Sequence, residues 1–343
     1  MFPVATVFVV GAGAGSDIGM PVGSVLSETI ARKLDFSFDG GELKRGDPEI
    51  MSTFNRLAAT ENSKVDDWII AGRSIARGIQ YTRSIDSYIN SHREDAKIRD
   101  CAKLAIVKSI LESESNTSVV WDRKTDDWTQ PGSVRKSWLQ IMMYLLQEKI
   151  VNRVNLEKIF ENFTIINFNY DRCIEQFLYY ALQQLYGINA ASAGDLINSW
   201  NRIYHPYGSV GVLPWQTVGR KIGFGVRDYG DIRGLSREIL TFNEQIDDVG
   251  ALEEIRQTIR NAHKIVFLGF HFHQQNMDLL QADGTGPPVQ VYATVVDRAA
   301  PEIAIIQQQI IAMLKPERQR LTVEVVGMRC TDLLNQYGTT LLR

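Results

Sequence analysis

Short apolar runs rich in β-branched residues alternate with longer stretches at helical spacing, and this alternation organises the chain. Thr6-Val7-Phe8-Val9-Val10 is the first such run and predicts a buried strand. Gly11-Ala12-Gly13-Ala14-Gly15 follows at once, then Ser16-Asp17-Ile18-Gly19-Met20-Pro21. From Pro21 to about Leu34, the residues Val22, Val25, Leu26, Thr29 and Ile30 recur at helical spacing; proline suits a first helical turn because its missing N–H would be unsatisfied there anyway. Asp39-Gly40-Gly41 then breaks the pattern.

Between about 48 and 150 the β-branched runs vanish and helical stripes take over. Ile75 pairs with Ile79 and Ile85 with Ile89. Ile98, Cys101 and Ala105 form a stripe beside Leu104, Val107 and Leu111, and Trp138, Ile141, Met142 and Leu145 form another. Such stripes face a core, so this block reads as a bundle of about four helices. Glu112 to Asn116 reads as a polar loop, with Trp121 and Trp128 capping the bundle after it. Strand–helix alternation then resumes. The expected strands are Phe163–Phe168, a short one meeting the turn at Arg202–Ser209, His263–Phe270, Val289–Val296 and Leu321–Val326. Helices are expected after Asn169-Tyr170-Asp171, from His271, over about 299–314 and over 331–337. The segment 210–235, rich in glycine and aromatic residues, carries no clear periodicity. Strands alternating with helices predict an α/β fold: a Rossmann-like, doubly wound, mostly parallel six-stranded sheet. A large helical insertion, about 45–155, follows the first βα unit, all within a single domain spanning 1–343.

Composition adds exclusions. The 343 residues are 44% hydrophobic and 22% charged with a formal net charge of −3, so no general electrostatic grip on nucleic acid or an acidic membrane is expected. No apolar stretch approaches the roughly 20 residues needed to span a bilayer, and no basic residue precedes the first apolar run, against a secretory signal. A cytoplasmic protein is expected. Cys101, Cys173 and Cys330 are scattered with no Cys-x-x-Cys pair, which excludes a four-cysteine zinc module.

Candidate chemistry gathers at strand tips, where open α/β sheets bind ligands. Strand, glycine turn and helix start place backbone N–H groups against a phosphate. The strict dinucleotide fingerprint wants its last glycine where Ser16 stands, so a tight turn without a ligand is the alternative. Asn169 and Asp171 lie at the tip of the second strand; capping explains Asp171 better than it explains Asn169. His205 sits near a turn and titrates near neutral pH. His271 and His273 point to opposite sides if extended, which disfavours a metal pair; no metal site is expected.

These motifs resemble a known family. Gly11 to Pro21 resembles the sirtuin opening, with the same spacing from first glycine to proline. Asn167-Phe168-Asn169-Tyr170-Asp171 is similar to the Asn-Tyr-Asp form in bacterial sirtuin-like NAD-hydrolysing defence proteins. His205-Pro206-Tyr207-Gly208-Ser209 resembles their His-Gly-Ser turn, Leu268 through Asn276 their Gly-Tyr/Phe-Ser segment, and Ser63 to Ile69 an acidic-aromatic segment of their helical insertions. Two features depart from deacylating sirtuins: Val22-Gly23-Ser24 stands where they carry Asp-Phe-Arg, and the zinc cysteines are missing. A third departs from the family histidine, since Tyr207 occupies the position next to the glycine and His205 lies two residues earlier.

The resemblance implies NAD as substrate, without zinc, and cleavage of its nicotinamide–ribose bond through an oxocarbenium-like transition state. Gly11, Ala12, Gly13, Ala14, Gly15, Asp17 and Pro21 would hold the dinucleotide, with Gly269, Phe270 and Asn276 from the fourth strand's tip. Asn169 would hold the nicotinamide ribose and orient a water, with Asp171 orienting Asn169 or the ribose. His205 would act as general base, Tyr207 being the alternative occupant of its place. Asp297 would bind the adenosine ribose. The resemblance further implies NAD depletion in antiphage defence, a ring-type homo-oligomer and a HerA-like ATPase partner. Rival readings are a non-catalytic NAD or ADP-ribose sensor, which the displaced histidine favours; a dehydrogenase using Asp35 or Asp39, for which no second strand stands in place; and a deacylase.

Overall fold

A computed structural model describes residues 1–150, 153–228, 230–247, 249–282, 284–314 and 320–343. Six strands form one sheet: β1 (Thr6–Val10), β2 (Phe163–Asn167), β3 (Ile203–Tyr204), β4 (Lys264–Leu268), β5 (Val289–Thr294) and β6 (Leu321–Val326). Their order across the sheet is β6-β5-β4-β1-β2-β3, and every pairing is parallel. β1 is the central strand, in register with β2 from Thr6–Phe163 to Val10–Asn167 and with β4 from Thr6–Lys264 to Val10–Leu268. All five of its residues are buried, as expected of a strand covered on both faces. The chain winds outward through β2 and β3, crosses back, and winds outward again through β4, β5 and β6. The switch point therefore lies between the carboxyl ends of β1 and β4.

The first helical turn differs from the sequence expectation. Gly11 to Gly15 do not lead straight into a helix starting at Pro21. Ala12–Ile18 winds into a 3₁₀ turn that ends on Gly19 in the left-handed conformation, and α1 (Gly23–Leu34) starts only after Val22 as its N-cap. Pro21 thus precedes the helix. Backbone crowding accounts for the detour: the Gly13 N–H donates to the Gly269 carbonyl at 2.9 Å and the Gly11 N–H to the Leu268 carbonyl at 3.0 Å. A Cβ on Gly13 would meet Gly269 Cα at 2.9 Å. The turn is pressed against the tip of β4 before it can become a helix.

The insertion falls between α1 and β2, as the hydrophobic pattern expects, but holds more than four helices. A hairpin pairs Ser37–Asp39 with Glu42–Arg45 through Gly40 and Gly41 at positive φ, as tight hairpin turns require. Then come α2 (Pro48–Thr60), α3 (Val65–Gly78), α4 (Ile85–Ser91), α5 (Ala96–Glu114), the short α6 (Pro131–Val134) and α7 (Trp138–Gln147). The two apolar stripes of α5 lie side by side because this helix is buried all round. Its two buried lysines are paired: Lys103 with Glu244 at 2.7 Å and Lys108 with Glu49 at 2.6 Å. Of the expected polar loop at Glu112–Asn116, Glu112–Glu114 form the last turn of α5, Ser115 and Asn116 lie in the turn after it, and Glu114 is fully buried.

Three ties bind the insertion to the sheet half. Trp138 Nε1 donates to the Ala14 carbonyl at 2.9 Å, joining α7 to the glycine turn. Trp121 and Trp128 form a two-residue antiparallel pairing and stack on Tyr180 and Phe177 of α8 (Cys173–Tyr186). The third is a buried ion pair, Glu114 with Arg172, at 2.5 Å. The remaining helices are α9 (Ala190–Trp200), α10 (Ile232–Ser236), α11 (Phe242–Asp247), α12 (Val249–Asn261), α13 (Gln274–Leu280), α14 (Ala300–Leu314) and α15 (Cys330–Leu341). One contiguous core joins sheet and insertion, from Phe8 and Phe163 to Ile75 and Leu104. No helix among the described residues is long and apolar enough to cross a membrane.

Candidate active site at the switch point

A cleft of about 1120 Å³ opens at the carboxyl ends of β1, β2, β4 and β5, between the sheet half and the insertion. Its floor is the glycine turn, contributing Gly11, Ala12, Gly13, Gly15 and Asp17, with Pro21 beyond. Asn169 and Asp171 line it from the tip of β2, Gly269 and Phe270 from the tip of β4, and Asn276 from α13. Gly269 adopts φ +56°, and a Cβ there would lie 2.0 Å from the Ala14 nitrogen. Only glycine permits this approach of two backbones, so Gly11, Gly13 and Gly269 close the switch point against one another as well as shaping the floor.

Asn169 is half-buried. Its backbone N–H donates to Asn167 Oδ1 at 3.1 Å, which fixes the tip of the strand, and the residue borders the cleft. Asp171 is buried, and its Oδ1 accepts the Cys173 N–H at 3.0 Å. It therefore bonds to the first N–H of α8 from one residue ahead of the N-cap, Arg172, which has no side-chain cap bond. Burial pushes its carboxyl above the usual range, against the Cys173 donor.

Three expected residues fall outside the cleft lining. Ala14 is buried, turned inward with its carbonyl on Trp138. Asp297 is exposed at φ +55°, beyond the end of β5, and Arg298 takes its place along the cleft. His205 is the third. β3 ends at Tyr204, so His205 and Tyr207 do not share a strand face. The Gly208 N–H donates back to the His205 carbonyl at 2.9 Å, and this turn sends the two side chains apart. Tyr207 lines the cleft and donates to Asn276 Oδ1 at 2.8 Å. His205 packs behind Asn169, with Nδ1 3.0 Å from the Asn169 carbonyl and Nε2 2.7 Å from Glu175 Oε1.

With Glu175 as the carboxylate, both partners of His205 are acceptors, and only the imidazolium donates from both ring nitrogens. Burial lowers the ring's pKa, but the Glu175 carboxylate and the Asn169 carbonyl outweigh it and hold the pKa above its ordinary value. A ring that is protonated and bonded at both ends is a support for the Asn169 loop, not a free base. His271 and His273 also differ from expectation. The backbone between them is not extended, and their rings stack with centroids 4.7 Å apart, both bordering the cleft.

The insertion supplies residues that the sequence did not single out. Asp86, on α4, lines the cleft and accepts a short hydrogen bond from the Tyr170 hydroxyl. Burial raises its pKa, opposed by that hydrogen bond. A half-buried carboxyl with a raised pKa in a cleft is a candidate for proton transfer. The sequence signal beside it was the Ile85–Ile89 pair, which spoke of packing; Ser84 caps the same helix by accepting the Ser87 N–H at 3.1 Å. Arg172 is held by Glu114 and donates to the carbonyls of Ile222 at 2.8 Å and Gly223 at 3.3 Å. The segment without periodicity is thereby drawn onto the start of α8. Among the described residues no cluster of three or more His, Cys, Asp or Glu side chains is arranged for a metal ion.

No curated protein matches this chain. Residues 164–304, from β2 through the start of α14, match the family model described as SIR2-like domain. This stretch carries Asn169, Asp171, Tyr207, Gly269 and Asn276, and with the all-parallel sheet it supports a sirtuin-like protein with an NAD-related activity.

Proposed function

We propose that this chain is an NAD glycohydrolase, cleaving the nicotinamide–ribose bond to give nicotinamide and ADP-ribose. The observation that carries the reading is Asn169, bordering the cleft beside a glycine floor at the sheet's switch point. The dinucleotide spans the cleft, its pyrophosphate over Gly11–Gly15 and its nicotinamide ribose at Asn169. A carboxamide offers a donor and an acceptor together, enough to hold a ribose hydroxyl and a water at once. The bond from ribose C1″ to nicotinamide breaks, and its electron pair leaves with neutral nicotinamide. Water oxygen bonds to C1″, and its proton passes to a base.

That base is Asp86 in its ionised form. His205 is withdrawn by its bonds to Glu175 and the Asn169 carbonyl and acts instead by holding the loop that carries Asn169. Asp171 bonds to the first N–H of α8 and supports the same loop. Tyr207 and Asn276 form a hydrogen-bonded wall opposite.

NAD depletion in antiphage defence, a ring-type homo-oligomer and a HerA-like ATPase partner are part of this proposal. They rest on the resemblance of the motifs. The withdrawn histidine favours one second reading, a subunit that binds NAD or ADP-ribose without cleaving it. Chromatography of NAD incubated with the purified chain, alone and with a HerA-type ATPase, separates the two. Free nicotinamide that disappears in Asp86→Asn and Asn169→Ala supports the hydrolase. NAD that binds and is recovered intact in both settings overturns it in favour of the sensor.

A further inference from the structure

The β4–β5 side of the cleft carries two arginines and two histidines that the proposed hydrolysis does not use. His271 and His273 follow the tip of β4, Arg298 follows β5, and Arg83 reaches the same cleft from the insertion just before α4. The two imidazoles stack at 4.7 Å. Burial together with the charges of Arg298 and Arg83 depresses His271, and burial, His271 and the two arginines depress His273 to about 4. Neither arginine has an ion-pair partner among the described residues. The nearby acids do not change this. Asp17 accepts from the Thr331 hydroxyl at 2.7 Å, and Glu302 borders the cleft without pairing. Asp86 also borders the cleft, bonded to the Tyr170 hydroxyl, and two guanidiniums without an ion pair on one side of a cleft favour an anionic ligand.

Position says which part of a dinucleotide meets them. Asn169 stands at the tip of β2, on one side of β1; Arg298 stands past β5, two strands to the other side. Three inter-strand steps of about 4.8 Å put the two tips roughly 14 Å apart. With the nicotinamide ribose at Asn169, the adenosine ribose lies toward Arg298. In dinucleotide folds an acidic residue at that ribose marks an unphosphorylated 2′-hydroxyl, and an arginine marks a 2′-phosphate. Here the acid, Asp297, is exposed and outside the cleft lining, and the arginine borders it. Guanidinium and phosphate match in geometry as well as charge.

We propose that Arg298, with Arg83, His271 and His273 around it, binds a phosphate on the adenosine ribose, so that the cleft prefers the 2′-phosphorylated dinucleotide NADP over NAD. This rests on the cleft being a dinucleotide site, as proposed above.

The test is isothermal titration of the full chain with two ligands that cannot be cleaved at the nicotinamide bond, ADP-ribose and its 2′-phosphate. The 2′-phosphate form is expected to bind about tenfold tighter at low salt, an advantage of about 1.4 kcal/mol, which shrinks as salt rises. In Arg298→Ala the difference is expected to collapse; the residue is exposed, so the fold tolerates the change. Equal affinity of the two ligands for the wild type overturns the phosphate site and leaves the dinucleotide cleft standing. Binding of neither ligand overturns both. An advantage retained in Arg298→Ala overturns the assignment to Arg298.

Discussion

Asn169 is held by what lies behind it. Its carbonyl faces the imidazolium of His205, and Glu175 balances that charge from the other side. Removing one partner of a buried pair costs more than never having had it, because a charge is left stranded. Glu175→Ala is therefore expected to destabilise the fold by about 3–5 kcal/mol in urea denaturation. The pH dependence has a definite sign. The folded-state pKa of His205 is raised, so the pair's contribution is fully present below the unfolded value near 6.5 and is lost as pH rises through the folded value. Urea midpoints that fall with rising pH above 6.5 in the wild type, and fall less in His205→Asn, are expected; parallel curves would contradict the pairing. Asp86→Asn keeps an acceptor for Tyr170 but no longer takes a proton. It should lower kcat by about 10²–10⁴-fold with little change in the urea midpoint.

The glycine turn and the tip of β4 act as one element although about 250 residues of chain separate them. Gly269 at φ +56° has no room for a Cβ beside Ala14. Gly269→Ala is expected to cost at least about 3 kcal/mol from strain and crowding together, measured as a loss of urea midpoint. Six strands, their order along the chain and the position of the insertion were legible in the sequence, because parallel buried strands read as short β-branched runs whose period differs from that of helices. The 3₁₀ turn was not legible. It exists because Gly269, distant in sequence, occupies the space a regular helix start would need. The last turn of α5 was hidden for the same kind of reason: Glu112-Ser113-Glu114 reads as solvent-facing until Arg172 is brought to Glu114 at 2.5 Å. At the site, Asn169 and Gly269 could be found as a polar residue and a glycine at strand tips, while Asn276, inside α13, came only with the resemblance. The withdrawal of His205 could not, since it follows from where β3 stops and from Glu175 one helical turn into α8. Asp86 lay in a block whose periodicity spoke only of packing.

At the scale of the whole molecule, the cleft is bounded on one side by strand tips and on the other by the insertion, which supplies Asp86 and Arg83. Ligand binding should therefore tighten both halves together. Saturating ADP-ribose, at about 100 times its Kd, is expected to add about 2.7 kcal/mol and raise the melting temperature by about 5 °C. Two separate melting transitions, only one of them shifted by ligand, would contradict a cleft shared by the two halves. Mass photometry of the purified chain checks the proposed oligomer, and a species of a single subunit mass alone and with a HerA-type ATPase would contradict it. The most direct measurement is the initial rate of nicotinamide release from NAD by the wild-type chain and by Asn169→Ala, with urea midpoints matched to exclude unfolding and the ATPase partner added in parallel. The account predicts release by the wild type, alone or with the partner, and a loss of at least about 10²-fold in the variant. Equal rates in the two proteins, or NAD left intact by a wild type that binds it under both conditions, would contradict it.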